Sequence, residues 1–87
     1  LVKGTITVDD GAKNALKSGG ASLLAVGMTD ARGTITAGDL VSIVDTNGRE
    51  VARGLSAFST SELHGFIQGH VAPRPVVHAD DLVLPTK

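Results

Sequence analysis

No cysteine, tryptophan or tyrosine occurs in the chain, and phenylalanine occurs only as Phe58 and Phe66. The missing thiol excludes disulfides and thiolate metal sites, and it fits a reducing compartment, so a cytoplasmic location is expected. The missing aromatics leave little for stacking bases, which need exposed π faces. A basic excess is lacking too. Eight lysines and arginines stand against nine acids, for a net charge of −1, whereas a protein that lives on phosphate contacts carries a clear cationic surplus. No apolar run approaches the roughly 18 residues of a membrane span, and no signal-peptide pattern is present. The chain opens on Leu1 rather than methionine, and we read it as a piece of a longer protein.

What is present describes one small domain. With 87 residues, 41% of them hydrophobic and eleven of them glycine, the chain buries roughly 60–65% of its unfolded surface around one modest core. Residues 4–8 carry β-branched side chains in a row and read as a strand, with Ile6 and Val8 on one face. A short helix follows. Asp9 is a suitable N-cap, and Asp10 puts negative charge in the first turn. Ala12, Ala15 and Leu16 form an apolar stripe, Lys13 and Lys17 share a more exposed face, and Gly19 supplies a left-handed stop. Residues 21–26 (ASLLAV) read as a buried strand ended by Gly27. Residues 28–39 read as a connecting segment with an extended piece at 34–36 and a turn at Gly38 and Asp39. Residues 40–44 (LVSIV) are apolar on both faces, as a central strand would be. Asn47 and Gly48 then signal a hairpin, both tolerating positive φ. The return strand spans 51–58, with Gly54 marking a bulge or a close backbone approach. A second helix starts at Ser59, which pairs with Glu62 as a capping box, and it carries Leu63, Phe66 and Ile67. Gly65 weakens this helix and Gly69 ends it. Residues 76–78 and 82–84 read as two strand pieces around a turn at Asp80 and Asp81, with His78 half-buried at a strand edge. The sequence GTIT occurs at Gly4 and again at Gly33, but the continuations diverge at once, so no duplication is inferred. The expected fold is mainly β with two short helices: a small barrel of mixed parallel and antiparallel strands.

Few side chains are spaced for chemistry. His64, His70 and His78 lie six and eight apart, matching neither a helical ligand pair nor a zinc motif, and with Asp80 and Asp81 they read as surface residues. There is no nucleophile elbow. No Gly-Lys-Ser/Thr follows a glycine run, and Asp9 and Asp10 occupy the helix end that a phosphate would need. One basic cluster remains. Lys13, Lys17 and Arg32, beside the backbone of residues 19–22, form a small candidate surface for RNA or a protein partner, with a solvated helix face as the simpler reading.

Three stretches carry a resemblance: TVDDGAKNALKSGGASLLAVGM, AGDLVSIVDTNGREVARGLSAFSTSEL and VVHADDLVL. Together they resemble a PUA domain, and more narrowly the C-terminal PUA domain of bacterial glutamate 5-kinases, over about residues 4–84. The resemblance implies a PUA-like pseudo-barrel spanning residues 1–87 as the C-terminal piece of a longer chain. It also implies a parent enzyme that transfers the γ-phosphoryl of ATP to the side-chain carboxylate of L-glutamate, the first step of proline synthesis and one that proline inhibits. The catalytic, ATP and Mg²⁺ sites would lie in a separate N-terminal kinase domain. This chain would hold no cofactor and no catalytic residue. Its expected role is accessory, regulatory or architectural, with the kinase domain of the same chain as partner in a homo-oligomer. In other PUA domains, those of pseudouridine synthases and archaeosine transglycosylases, the first helix and the glycine loop after it bind RNA. That surface maps to Lys13, Lys17, Gly19, Gly20 and Ala21, and RNA binding is the alternative function.

Overall fold

A computed structural model of the chain describes residues 1–85; Thr86 and Lys87 lie outside the described residues. Five strands form one sheet in the order β2-β1-β3-β4-β5. β1 (Gly4–Val8) pairs antiparallel with β2 (Met28–Gly33) and parallel with β3 (Leu40–Val44), and β4 (Glu50–Leu55) lies antiparallel to both β3 and β5 (Leu82–Val83). Helix α1 (Asp10–Lys17) follows β1, and α2 (Thr60–Ile67) follows β4. This is the expected mainly β fold of mixed strands with two short helices, with β3 at the centre of the sheet.

Local chemistry explains the elements that matched. Asp9 Oδ1 accepts the Ala12 amide at 2.8 Å and starts α1. Ser59 and Glu62 make both bonds of the capping box that starts α2. Alternation buries Ile6 and Val8 in β1 and Val41 and Ile43 in β3, and Leu16 and Leu63 bring the helices onto the same core. Gly54 lies under the C-terminal segment: a Cβ there would stand 2.6 Å from Val77 Cγ1 and 2.9 Å from the Asp81 carbonyl. Of the two readings of Gly54, close approach is the correct one.

Several expectations need correction. Residues 21–26 are not a strand. Leu23 makes a single bridge to Val77, and the chain then turns through a 3₁₀ turn, Ala25–Gly27, leaving Leu24 and Val26 exposed. Apolar composition alone misled there. The connecting segment contains a strand, β2. Its edge position needs only Met28 and Ala31 buried, too faint a pattern for alternation to reveal. Residues 34–36 form no strand, although Ile35 is buried. The return strand stops at Leu55, because Ser56 turns the chain: its buried hydroxyl donates to the Phe58 carbonyl and accepts the Phe58 amide. Of the two C-terminal pieces, 76–78 reduces to the Val77 bridge and 82–84 to the two residues of β5. His78 is exposed and caps the 3₁₀ turn Ala79–Asp81, its Nδ1 accepting the Asp80 amide at 3.1 Å. In the hairpin only Gly48 has positive φ, at 83°, with its amide donating to the Asp45 carbonyl. Ala15 is exposed, so the buried stripe of α1 narrows to Leu16, with Ala12 partly buried beside it.

The outer edge of β2 is closed by side chains. His64 Nε2 lies 2.7 Å from the Ala31 carbonyl, the Thr60 hydroxyl donates to the Gly33 carbonyl at 2.9 Å, and Asp30 Oδ1 accepts the Ala31 amide at 2.9 Å. Helix α2 thus runs along this edge and meets the Ala31 and Gly33 carbonyls, while Asp30 of β2 itself takes the Ala31 amide.

Candidate functional site

The predicted basic cluster divides between two ends of the sheet. Val8, Met28, Val44 and Glu50 mark one end of the ladders, and Gly4, Gly33, Leu40 and Leu55 the other. Arg32 pairs in register with Thr5, toward the second end. It is held by its own neighbour, with Nε donating to Asp30 Oδ2 at 2.8 Å. Lys13 and Lys17 lie at the first end. Both line a cleft of about 520 Å³ together with Asp45, Arg49, Glu50, Val51, Leu84 and Pro85. The structure therefore brings Lys13 and Lys17 together, leaves Arg32 elsewhere, and adds Arg49.

The two lysines differ in what they do. Lys13 Nζ lies 3.3 Å from Asp45 Oδ2, a carboxylate that is only 3% exposed. Asp45 Oδ1 also accepts the amides of Asn47 and Arg49, at 2.9 and 3.0 Å. The Arg49 amide, then the Asn47 amide and Lys13, hold the Asp45 carboxyl below its ordinary value against the opposing effect of burial. Lys13 is therefore a tie between α1 and the β3–β4 hairpin. Lys17, one turn on, is exposed and makes no ion pair among the described residues. The same is true of Arg49. Glu50 is already engaged: the Ser42 hydroxyl donates to it at 2.6 Å and Arg53 Nε at 2.9 Å, and both lower its pKa.

Gly19 and Gly20 follow α1 with φ of 83° and 77° and have open space where a side chain would stand. Ala21 is partly buried. The loop is anchored just beyond it. The Ser22 hydroxyl accepts the Ala79 amide at 2.8 Å, and Leu23 exchanges backbone hydrogen bonds with Val76 and Val77. The glycine loop and the C-terminal segment are thus one assembly.

Both aromatics serve packing. Phe58 and Phe66 meet edge to face at 4.7 Å, and the Arg74 guanidinium stacks 4.7 Å over Phe58. Phe58 is buried and Phe66 partly so. Among the described residues no group of three or more His, Asp or Glu side chains is placed to hold a metal ion. In the cleft Asp45 is buried and engaged by two amides and Lys13, and Glu50 Oε2 accepts from Ser42 and Arg53. The sequence carries no site signal for Glu50, Arg49, Val51 or Leu84, which also line the cleft. Only the Asp-Thr-Asn-Gly turn pattern, where an aspartate accepts amides two and four residues on, gave any signal for Asp45.

A mixed five-stranded sheet with two small helices and a glycine loop tied to residues 76–79 defines a small, mainly β domain. The PUA domain family matches residues 4–74, and the chain belongs to that family, a non-catalytic class of domain. Among curated proteins it is similar to glutamate 5-kinases. It is 40% identical to that of Nitrosomonas eutropha over 95% of this chain and 25% of the relative. It is 44% identical to that of Prochlorococcus marinus over 93% of this chain and 23% of the relative. The chain thus spans about a quarter of the length of the curated relatives it matches. Among solved structures it is similar to a PUA domain from Aeropyrum pernix, with a TM-score of 0.78 and 30% identity over 87% of this chain and 41% of that one. It is also similar to a chain of an archaeal box H/ACA sRNP Nop10-Cbf5 complex, with a TM-score of 0.75 and 28% identity over 95% of this chain and 25% of that one.

Proposed function

We propose that this chain is the accessory PUA domain of a glutamate 5-kinase, acting in regulation or architecture through contacts with the kinase domain or another subunit of a homo-oligomer. The observation that carries the reading is the 40% identity to glutamate 5-kinases along 95% of the chain. On this reading the chain is the C-terminal domain of a longer cytoplasmic enzyme. ATP, Mg²⁺ and L-glutamate are handled outside these 87 residues, and the domain alters how the enzyme assembles or responds to proline. Comparing the intact enzyme with a version lacking this domain tests it. Altered proline inhibition or assembly state is expected; identical turnover, inhibition and assembly would overturn the role.

RNA binding is a second reading, supported by the likeness to a chain of a box H/ACA sRNP complex at 28% identity. It would use Lys17 with the backbone of Gly19, Gly20 and Ala21, and Arg32 would contribute only to an RNA that reaches the other end of the sheet. Affinity for a structured RNA should then fall steeply with salt and fall again in Lys17→Glu. No binding at low salt removes this reading.

A further inference from the structure

We propose that the cleft between α1 and the C-terminal segment docks an acidic segment of a protein partner, one that carries an apolar side chain beside its carboxylates. The proposal rests on the accessory-domain reading and names the surface and the partner chemistry that it requires.

The charges of the cleft carry the argument. It is lined by three cations and two acids, and three of these five are already paired. Lys13 is held by Asp45, and Glu50 by Ser42 and Arg53. Lys17 and Arg49 remain, without ion pairs among the described residues. They come from separate elements, the last turn of α1 and the β3–β4 hairpin, yet line one cleft. Its other lining residues, Val51, Leu84 and Pro85, are apolar, and Leu84 is 38% exposed. Unpaired charges beside exposed apolar surface are a combination that protein interfaces use. Arg49 offers a fork suited to a carboxylate and Lys17 a mobile point charge. At about 520 Å³ the cleft has room for the side chains of a docked segment.

The same inventory favours a peptide over a nucleic acid. Two unpaired cations neutralise few phosphates. No aromatic lines the cleft to stack a base. An acidic peptide needs only one or two carboxylates to engage Lys17 and Arg49, and it supplies the apolar group that covers Leu84.

Amide chemical shifts of the isotopically labelled 87-residue chain provide the test, titrated separately with three probes. These are acetyl-Glu-Leu-Asp-Glu-Leu-amide, acetyl-tetraglutamate-amide and a short RNA hairpin. Saturable shifts at Lys17, Arg49, Val51 and Leu84 are expected with the mixed peptide. Binding should weaken about tenfold or more in the Lys17→Glu, Arg49→Glu double variant, as charges facing a partner dictate. Leu84→Ser should weaken the mixed peptide and leave tetraglutamate unchanged. Unaltered shifts outside the cleft establish that the variants remain folded. Absence of saturable shifts at millimolar peptide, unchanged affinity in the double variant, or tighter binding of the RNA hairpin in the cleft would each overturn the proposal. The accessory role fails separately: cleft binding with no effect of domain deletion in the intact enzyme removes that role and leaves the docking site.

Discussion

At the residue scale, Lys13 and Lys17 are chemically identical and one turn apart, but a single contact separates their roles. Removing Lys13 leaves a buried carboxylate without its counter-charge, and breaking such a pair costs far more than losing an exposed cation. Lys13→Gln should therefore lower the melting temperature clearly, and Lys17→Gln should leave it nearly unchanged; differential scanning calorimetry of the two variants checks this. Equal effects would mean that Lys13 does not tie the hairpin to the helix. Gly54 makes a second point at this scale. Ala here meets Val77 and the Asp81 carbonyl at less than van der Waals distance, so Gly54→Ala should destabilise by about 1–3 kcal/mol, read from urea denaturation. The sequence marked Gly54 as unusual because glycine is rare inside a strand. It could not mark Lys13, because the partner of Lys13 lies 32 residues away and is buried only once the hairpin folds over α1.

At the element scale, what was legible follows from how local the determining physics is. The caps of both helices, the turn at Gly48 and the alternation in β1 and β3 depend on residues within a few positions of each other. They were read with nearly correct limits. β2 leaves little trace in the sequence because an edge strand buries few side chains, and residues 21–26 mimic a strand because exposed Leu24 and Val26 look like core. Two substitutions measure the local terms. Leu16 is the buried anchor of α1, and Leu16→Ala should cost about 2–4 kcal/mol. A loss below ~0.5 kcal/mol, within the usual scatter for surface positions, would mean that α1 does not pack on the core. Ser59→Ala removes the reciprocal cap of α2 and should cost about 1 kcal/mol, seen as a shifted denaturation midpoint with unchanged cooperativity.

At the scale of the whole molecule, three carboxylates share one direction of perturbation. Asp30 is lowered chiefly by Arg32, Asp45 by the Arg49 amide and Glu50 by the Ser42 hydroxyl. Each folded value lies below the ordinary one, 3.8 for aspartate and 4.5 for glutamate. The unfolded chain therefore takes up protons first as the pH falls. The stability these groups supply is complete above their ordinary values and is lost as the pH drops through the folded ones. Asp30 and Glu50 are partly exposed, so salt screens their share, whereas the buried Asp45 carboxylate is screened least. Melting temperatures should fall as the pH drops below the ordinary carboxylate values, and Asp45→Asn should flatten that slope. An unchanged slope would assign the acid sensitivity elsewhere.

The closed edge of β2 has a consequence for how this molecule meets others. A sheet normally invites strangers at its rim, where any extended chain can add itself as one more strand without regard to sequence. Here His64, Thr60 and Asp30 occupy much of that invitation on one side, and on the other β5 is only two residues long. Partners are thus steered away from an indiscriminate backbone handshake and toward side-chain surfaces, where charge and shape set the terms of admission.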